Sequence, residues 1–144
     1  MNILKKEDVK YIVVHCTATR PRNDIDVYEV NKWHLDDGYE MIGYHYLIKV
    51  DGTIENGRPL CVQGAHVRGC NGVSIGVCYV GGLDDKGEFA DTRTDQQRAS
   101  LWALLINLKH RFPKATIVGH HDLNRYKACP CFDAKLAYAG ISQM

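Results

Sequence analysis

The sequence predicts a single α/β domain, with a mixed central β-sheet flanked by helices. Three observations carry this. Apolar runs rich in β-formers recur at 11–16, 44–50, 74–82 and 115–120. Two longer segments with helical periodicity lie between them. No repeat, low-complexity tract or linker divides the 144 residues, so one domain is expected to span 1–144.

The first run, YIVVHC (11–16), reads as a buried strand with His15 near its C-terminal end. A loop, TATRPRND, follows. Asp26 then opens a helix, with Glu29 three residues on as in a capping box. Val27, Val30 and His34 share one face of that helix, and Gly38 is its stop signal. YHYLIKV (44–50), Asp-Gly (51–52) and TIENG (53–57) read as a hairpin. Strand alternation would put Tyr44 and Tyr46 on one face and His45 on the other. SIGVCYVGG (74–82) reads as another buried strand, and 83–93 as an exposed charged loop. Thr94 and Gln97 form a capping box for a helix reaching about Arg111. Its stripe is Leu101, Leu105, Leu108 and Phe112, widened by Trp102 and Leu104, and Pro113 ends it. ATIVGH (115–120) is a short strand with His120 at its end, and FDAKLAYA (132–139) a closing helix.

Composition narrows the partners. Net charge is +1 and the basic residues are interleaved with acids, which argues against a nucleic-acid partner. No apolar run is long enough to span a membrane, and MNILKKEDVK lacks the apolar core of a signal peptide. Monomer is the default expectation.

Six cysteines do not make this chain a disulfide scaffold, because it is neither short nor loop-rich. Cys16 and Cys78 lie in apolar runs and are expected to be buried and reduced. Ligand sites in α/β sheets gather beyond strand ends. His15 and His120 stand there, and Cys129 follows His120 by nine residues. Two imidazoles and a thiolate would match the three protein ligands of a catalytic zinc site. Each residue also has an ordinary structural reading. Cys129-Pro-Cys131 has one residue between its thiols, a weak redox signature. His15 and Cys16 should point to opposite faces, so His15 is poorly placed to activate Cys16. Lys127 could stabilise an oxyanion, and Tyr44 could donate to one or move a proton. His66 lies in a glycine-rich loop of the kind that lines sites.

Taken together, VVHCTAT (13–19), GYHYLIKVDGTIENGRP (43–59), GAHVRGCNGVSIGVCYVGGLDDKG (64–87), HHD (120–122) and KACPCFD (127–133) resemble a known family. It is the zinc-dependent N-acetylmuramoyl-L-alanine amidases of the phage-lysozyme type, relatives of the peptidoglycan recognition proteins. The resemblance implies Zn²⁺ held by His15, His120 and Cys129, with Tyr44 and Lys127 catalytic. It implies His66, Asn71 and Gly72 as substrate contacts. The implied substrate is peptidoglycan, cut at the amide between N-acetylmuramic acid and L-alanine. The implied setting is a protein made in the cytoplasm that acts on the cell wall, as in a phage or prophage endolysin. Two departures stand out. The connection LNRY between HHD and KAC is one residue longer than in phage relatives, and Cys131 replaces a small residue. Two alternatives remain: a recognition module that binds peptidoglycan without cutting it, and a thiol hydrolase using Cys129 or Cys131.

Overall fold

The computed structural model describes residues 1–144 and contains one five-stranded sheet. The strands are β1 (Tyr11–Cys16), β2 (Tyr46–Ile48), β3 (Ile54–Asn56), β4 (Ser74–Tyr79) and β5 (Thr116–Gly119), in the order β3-β2-β4-β1-β5. Strands β2, β4, β1 and β5 run parallel, and β3 is an antiparallel edge made by the predicted Asp-Gly turn. Gly52 has φ +89° there, a conformation that favours glycine.

Being central and covered on both faces, β1 and β4 are apolar almost without interruption rather than alternating. One face carries Ile12, Val14, Ile75, Val77 and Tyr79, packed against Leu101, Leu105 and Leu108 of α2 (Asp95–Arg111). The other carries Leu47 and Cys78 under Val30 of α1 (Val27–Asp36). Three short helices complete the chain: α3 (His120–Leu123), α4 (Ala134–Ala137) and α5 (Ala139–Ser142). No helix is long and apolar enough to cross a membrane.

The helix signals act as read, with one difference. Thr94 and Gln97 make both bonds of the capping box. At α1 only half of the box forms: Asp26 accepts from the Glu29 N–H, while the Glu29 carboxylate accepts from Trp33 Nε1 instead.

Four local expectations are corrected. Regular strand geometry begins only at Tyr46, so alternation does not extend back to Tyr44. Tyr44 packs on the α1 side and Tyr46 on the α2 side. Trp102 does not join the buried stripe; it is 48% exposed and stands over the Tyr138 ring. The 83–93 segment is not uniformly exposed. The Arg93 side chain turns inward, 3.4 Å from the Phe132 ring centroid and 2.9 Å from the Asp91 carboxylate. The closing helix is two short turns, α4 and α5, rather than one.

Candidate metal centre and its cleft

The parallel register brings the C-terminal ends of β1 and β5 together, with Val14 beside Gly119. His15 sits one residue past that pair on β1. His120 sits one residue past it on β5 and opens α3, so the two rings lie 4.7 Å apart. The loop after α3 returns Cys129 to the same point. It is tied down by the His121 N–H, which donates to the Cys129 carbonyl at 2.9 Å. Asp122 braces the turn by accepting from the Gly119 N–H at 2.8 Å. One ligand atom from each of His15, His120 and Cys129 lies within 4.8 Å of the others, and the three can hold a metal ion. Cys129 Sγ accepts from the Cys16 backbone N–H at 3.1 Å, a contact suited to a thiolate.

His15 is 1% exposed, and both of its ring nitrogens are engaged. Nδ1 faces Cys129 Sγ at 3.8 Å, while Nε2 lies 2.7 Å from His66 Nδ1. His66 Nε2 in turn lies 3.3 Å from Ser74 Oγ, and Ser74 Oγ–H donates to the Cys70 carbonyl at 2.7 Å. The chain has one consistent proton order. The Cys70 carbonyl can only accept, so Ser74 spends its proton there and accepts from His66 Nε2–H. His66 Nδ1 then accepts from His15 Nε2–H, which leaves the His15 Nδ1 lone pair facing the thiol. Burial, reinforced by neighbouring imidazoles, holds His15 and His66 well below the usual imidazole pKa, so both are neutral.

Sequence reading missed this relay. In the sequence Ser74 is only the start of a strand, yet the strand carries a signal. Gly76 is a glycine inside a buried strand, which marks close approach by another group. A Cβ there would lie 2.7 Å from the His66 ring.

The three residues form the floor of a cleft of about 520 Å³, within the usual range for small-molecule sites. Tyr44 lines it, with its ring 5.1 Å from that of His15. Burial pushes the Tyr44 hydroxyl pKa well up, so it remains a donor. Lys127 lines the cleft too, and its charge adds to burial in lowering the His120 pKa. A second arm of the cleft is lined by His66, Arg68, Asn71, Asn124 and Lys127. Asn71 Oδ1 holds the preceding loop by accepting from the His66 and Val67 N–H groups. Gly72 lines neither arm, and a Cβ there would lie 3.3 Å from the Gln63 side-chain amide.

All six cysteines are free. Cys131 lies apart from the ligand cluster, with Sγ 3.8 Å from Cys16 Sγ. Burial raises its thiol pKa to about 12.

Comparison with known proteins agrees with this geometry. Residues 5–132 match the model of the family described as N-acetylmuramoyl-L-alanine amidase. The chain is similar to an endolysin of Escherichia phage T7, at 44% identity over 131 residues, covering 91% of this chain and 86% of the relative. It is similar in structure to the N-acetylmuramoyl-L-alanine amidase LysC from Clostridium intestinale, with TM-score 0.79 and 27% identity over 98% of this chain and 90% of the other. A bumblebee PGRP-SA shares the fold, with TM-score 0.78 and 22% identity over 96% of this chain and 84% of the other. With the family model spanning most of the sequence and the ligand cluster at the strand ends, the chain belongs to the N-acetylmuramoyl-L-alanine amidase family.

Proposed function

We propose that this cell-wall amidase is a zinc hydrolase, with His15, His120 and Cys129 as the ligands and Tyr44 and Lys127 as the catalytic side chains. The observation that carries the reading is the convergence of two imidazoles and a thiol at the floor of the cleft, with His15 locked in one tautomer. That donor set fits zinc, which favours three nitrogen or sulfur ligands with one position left open. When bound, zinc supplies Lewis acidity: it acidifies a water toward neutral pH and polarises a carbonyl. The chain's own residues do the rest. Lys127 places a fixed positive charge where the amide oxygen gains negative charge. Tyr44, kept protonated by burial, donates a hydrogen bond to that oxygen and is positioned to pass a proton to the leaving amine. The bond cut is the amide between N-acetylmuramic acid and the L-alanine of the stem peptide.

The test is metal content together with mass analysis of digested peptidoglycan. The expected result is one zinc per chain and release of L-alanine amino termini, with no new reducing sugar ends. New reducing ends would instead mark a glycosidase. Binding to the wall with no digestion would favour a recognition module.

The relay behind His15 gives a second expectation. His66→Ala should weaken zinc binding by about 10–100-fold, the usual effect of removing a partner that orients a ligand. Competition with a chromogenic chelator reads this without any substrate. Unchanged zinc affinity would show that the tautomer of His15 is set elsewhere.

A further inference from the structure

Cys131 is the feature of the sequence that the metal centre leaves unused, and the structure gives it a partner. Its Sγ lies 3.8 Å from Cys16 Sγ, across 115 positions of sequence. Both side chains belong to the apolar cluster on the α2 side of the sheet, with Cys16 buried and Cys131 half-buried. His15, the neighbour of Cys16 on β1, points the other way and into the ligand cluster. Two details hold the pair in place. Gly82, at φ +103°, passes so close that a Cβ there would lie 2.5 Å from Cys16 Sγ and 3.5 Å from Cys131 Sγ, so a side chain at that position would take the room of the sulfurs. Cys131 itself has φ +70°, a left-handed conformation that disfavours cysteine, and its N–H donates to the Ala128 carbonyl at 2.8 Å. The third sulfur nearby, Cys129 Sγ, is committed elsewhere. It accepts from the Cys16 N–H and faces His15 Nδ1.

We propose that Cys16 and Cys131 are a latent disulfide, open in a reducing compartment and closed in an oxidising one, which ties the end of β1 to the segment carrying Cys129 without consuming a zinc ligand. Bonding requires the sulfurs to close from 3.8 Å to about 2.05 Å, a shift within reach of side-chain rotation. The oxidant is a small-molecule disulfide. The Cys131 thiol gives up its proton and attacks one sulfur of that disulfide, expelling a thiolate that takes up the proton. Cys16 then attacks the Cys131 sulfur of the mixed disulfide and expels the second small thiol. Two protein S–H groups are oxidised to one S–S bond, and the small disulfide is reduced to two thiols. The high thiol pKa of Cys131 slows the first attack, whereas the final balance is set by the reduction potential of the pair against that of the compartment. The setting rests on the cell-wall reading: a chain made in the cytoplasm and acting on the wall passes from a reducing to an oxidising environment.

The test equilibrates the zinc-loaded protein in mixtures of reduced and oxidised glutathione and maps it by mass spectrometry without reduction. Peptides containing Cys16 and Cys131 should be joined in the oxidised mixtures and separate in the reduced ones. Zinc content and kcat on peptidoglycan should stay the same. Tm should rise by about 10 °C, as for a crosslink that closes a long loop. Cys131→Ser keeps the exposed Cys61 and every other thiol, so it should show none of that rise in the same buffers. An equal rise in Cys131→Ser, no joined peptide even in oxidised glutathione alone, or a bond that takes Cys129 and releases zinc would each overturn the proposal. Mapping and Tm need no substrate. A protein that leaves peptidoglycan undigested in every buffer refutes the amidase reading, and those two measurements still decide the disulfide.

Discussion

Replacing Cys129 with alanine is expected to abolish hydrolysis of purified peptidoglycan, and chelation of the wild-type protein should do the same until zinc is restored. The loss should exceed about 10³-fold, the upper end for removing a single oxyanion donor, because carbonyl polarisation and water activation depend on the same ion. Alanine alone does not separate a metal ligand from a thiol nucleophile. His15 Nδ1 stands 3.8 Å from Cys129 Sγ, and such a pair could also serve nucleophilic attack by the thiol. Cys129→Asp separates them. A carboxylate is an acceptable third zinc ligand but cannot replace a thiol as the attacking group. The zinc reading expects the aspartate variant to bind metal and keep measurable turnover. A dead Cys129→Asp that still binds zinc, together with a wild-type enzyme indifferent to chelators, would sink the zinc reading. Cys131 is a poor alternative nucleophile. Burial raises its thiol pKa to about 12, and its sulfur faces Cys16 rather than a histidine.

Much of this was legible from residue order, because the relevant signals are local. The apolar runs, the Asp-Gly turn, and the Thr94–Gln97 box act within a few residues of themselves. The convergence of His15, His120 and Cys129 is different, since more than a hundred residues separate the first from the other two. Strand-end placement made them candidates, but only the β1–β5 register brings the two rings to 4.7 Å. The misplacement of Tyr46 beside Tyr44 has the opposite origin. Alternation is a property of regular strand, and the backbone before Tyr46 is irregular. The His66 relay was hidden because a histidine in a glycine-rich loop looks the same whether or not it also backs a ligand. What discloses the relay is the 2.7 Å contact with His15, together with the space that Gly76 leaves for the ring. Arg93 falls in a segment whose charge predicts exposure, because charge usually means solvent. The aromatic ring of Phe132 and the carboxylate of Asp91 gave it an interior berth.

Lys127→Ala should lower kcat by about 10²–10³-fold, or roughly 2.7–4 kcal/mol, the range for one oxyanion donor, with zinc content unchanged. The resemblance implies one residue more in LNRY than in phage relatives, and in an extended connection one added residue could carry this lysine out of the cleft. The connection is folded rather than extended. The Lys127 N–H donates to the Asn124 carbonyl at 3.0 Å, and Asn124 Oδ1 accepts from the Tyr126 N–H at 3.1 Å. The four residues 124–127 thus close into a turn, while Cys129 is held independently through its carbonyl by His121. Lys127 consequently still lines the cleft, and its ammonium acts electrostatically on His120. A loss confined to kcat would place the ammonium at charge that develops during the reaction. A rise in KM alone would make Lys127 a binding residue that holds substrate and transition state equally. Unchanged turnover would remove it from the chemistry, leaving Tyr44 as the only side-chain donor proposed for the amide oxygen.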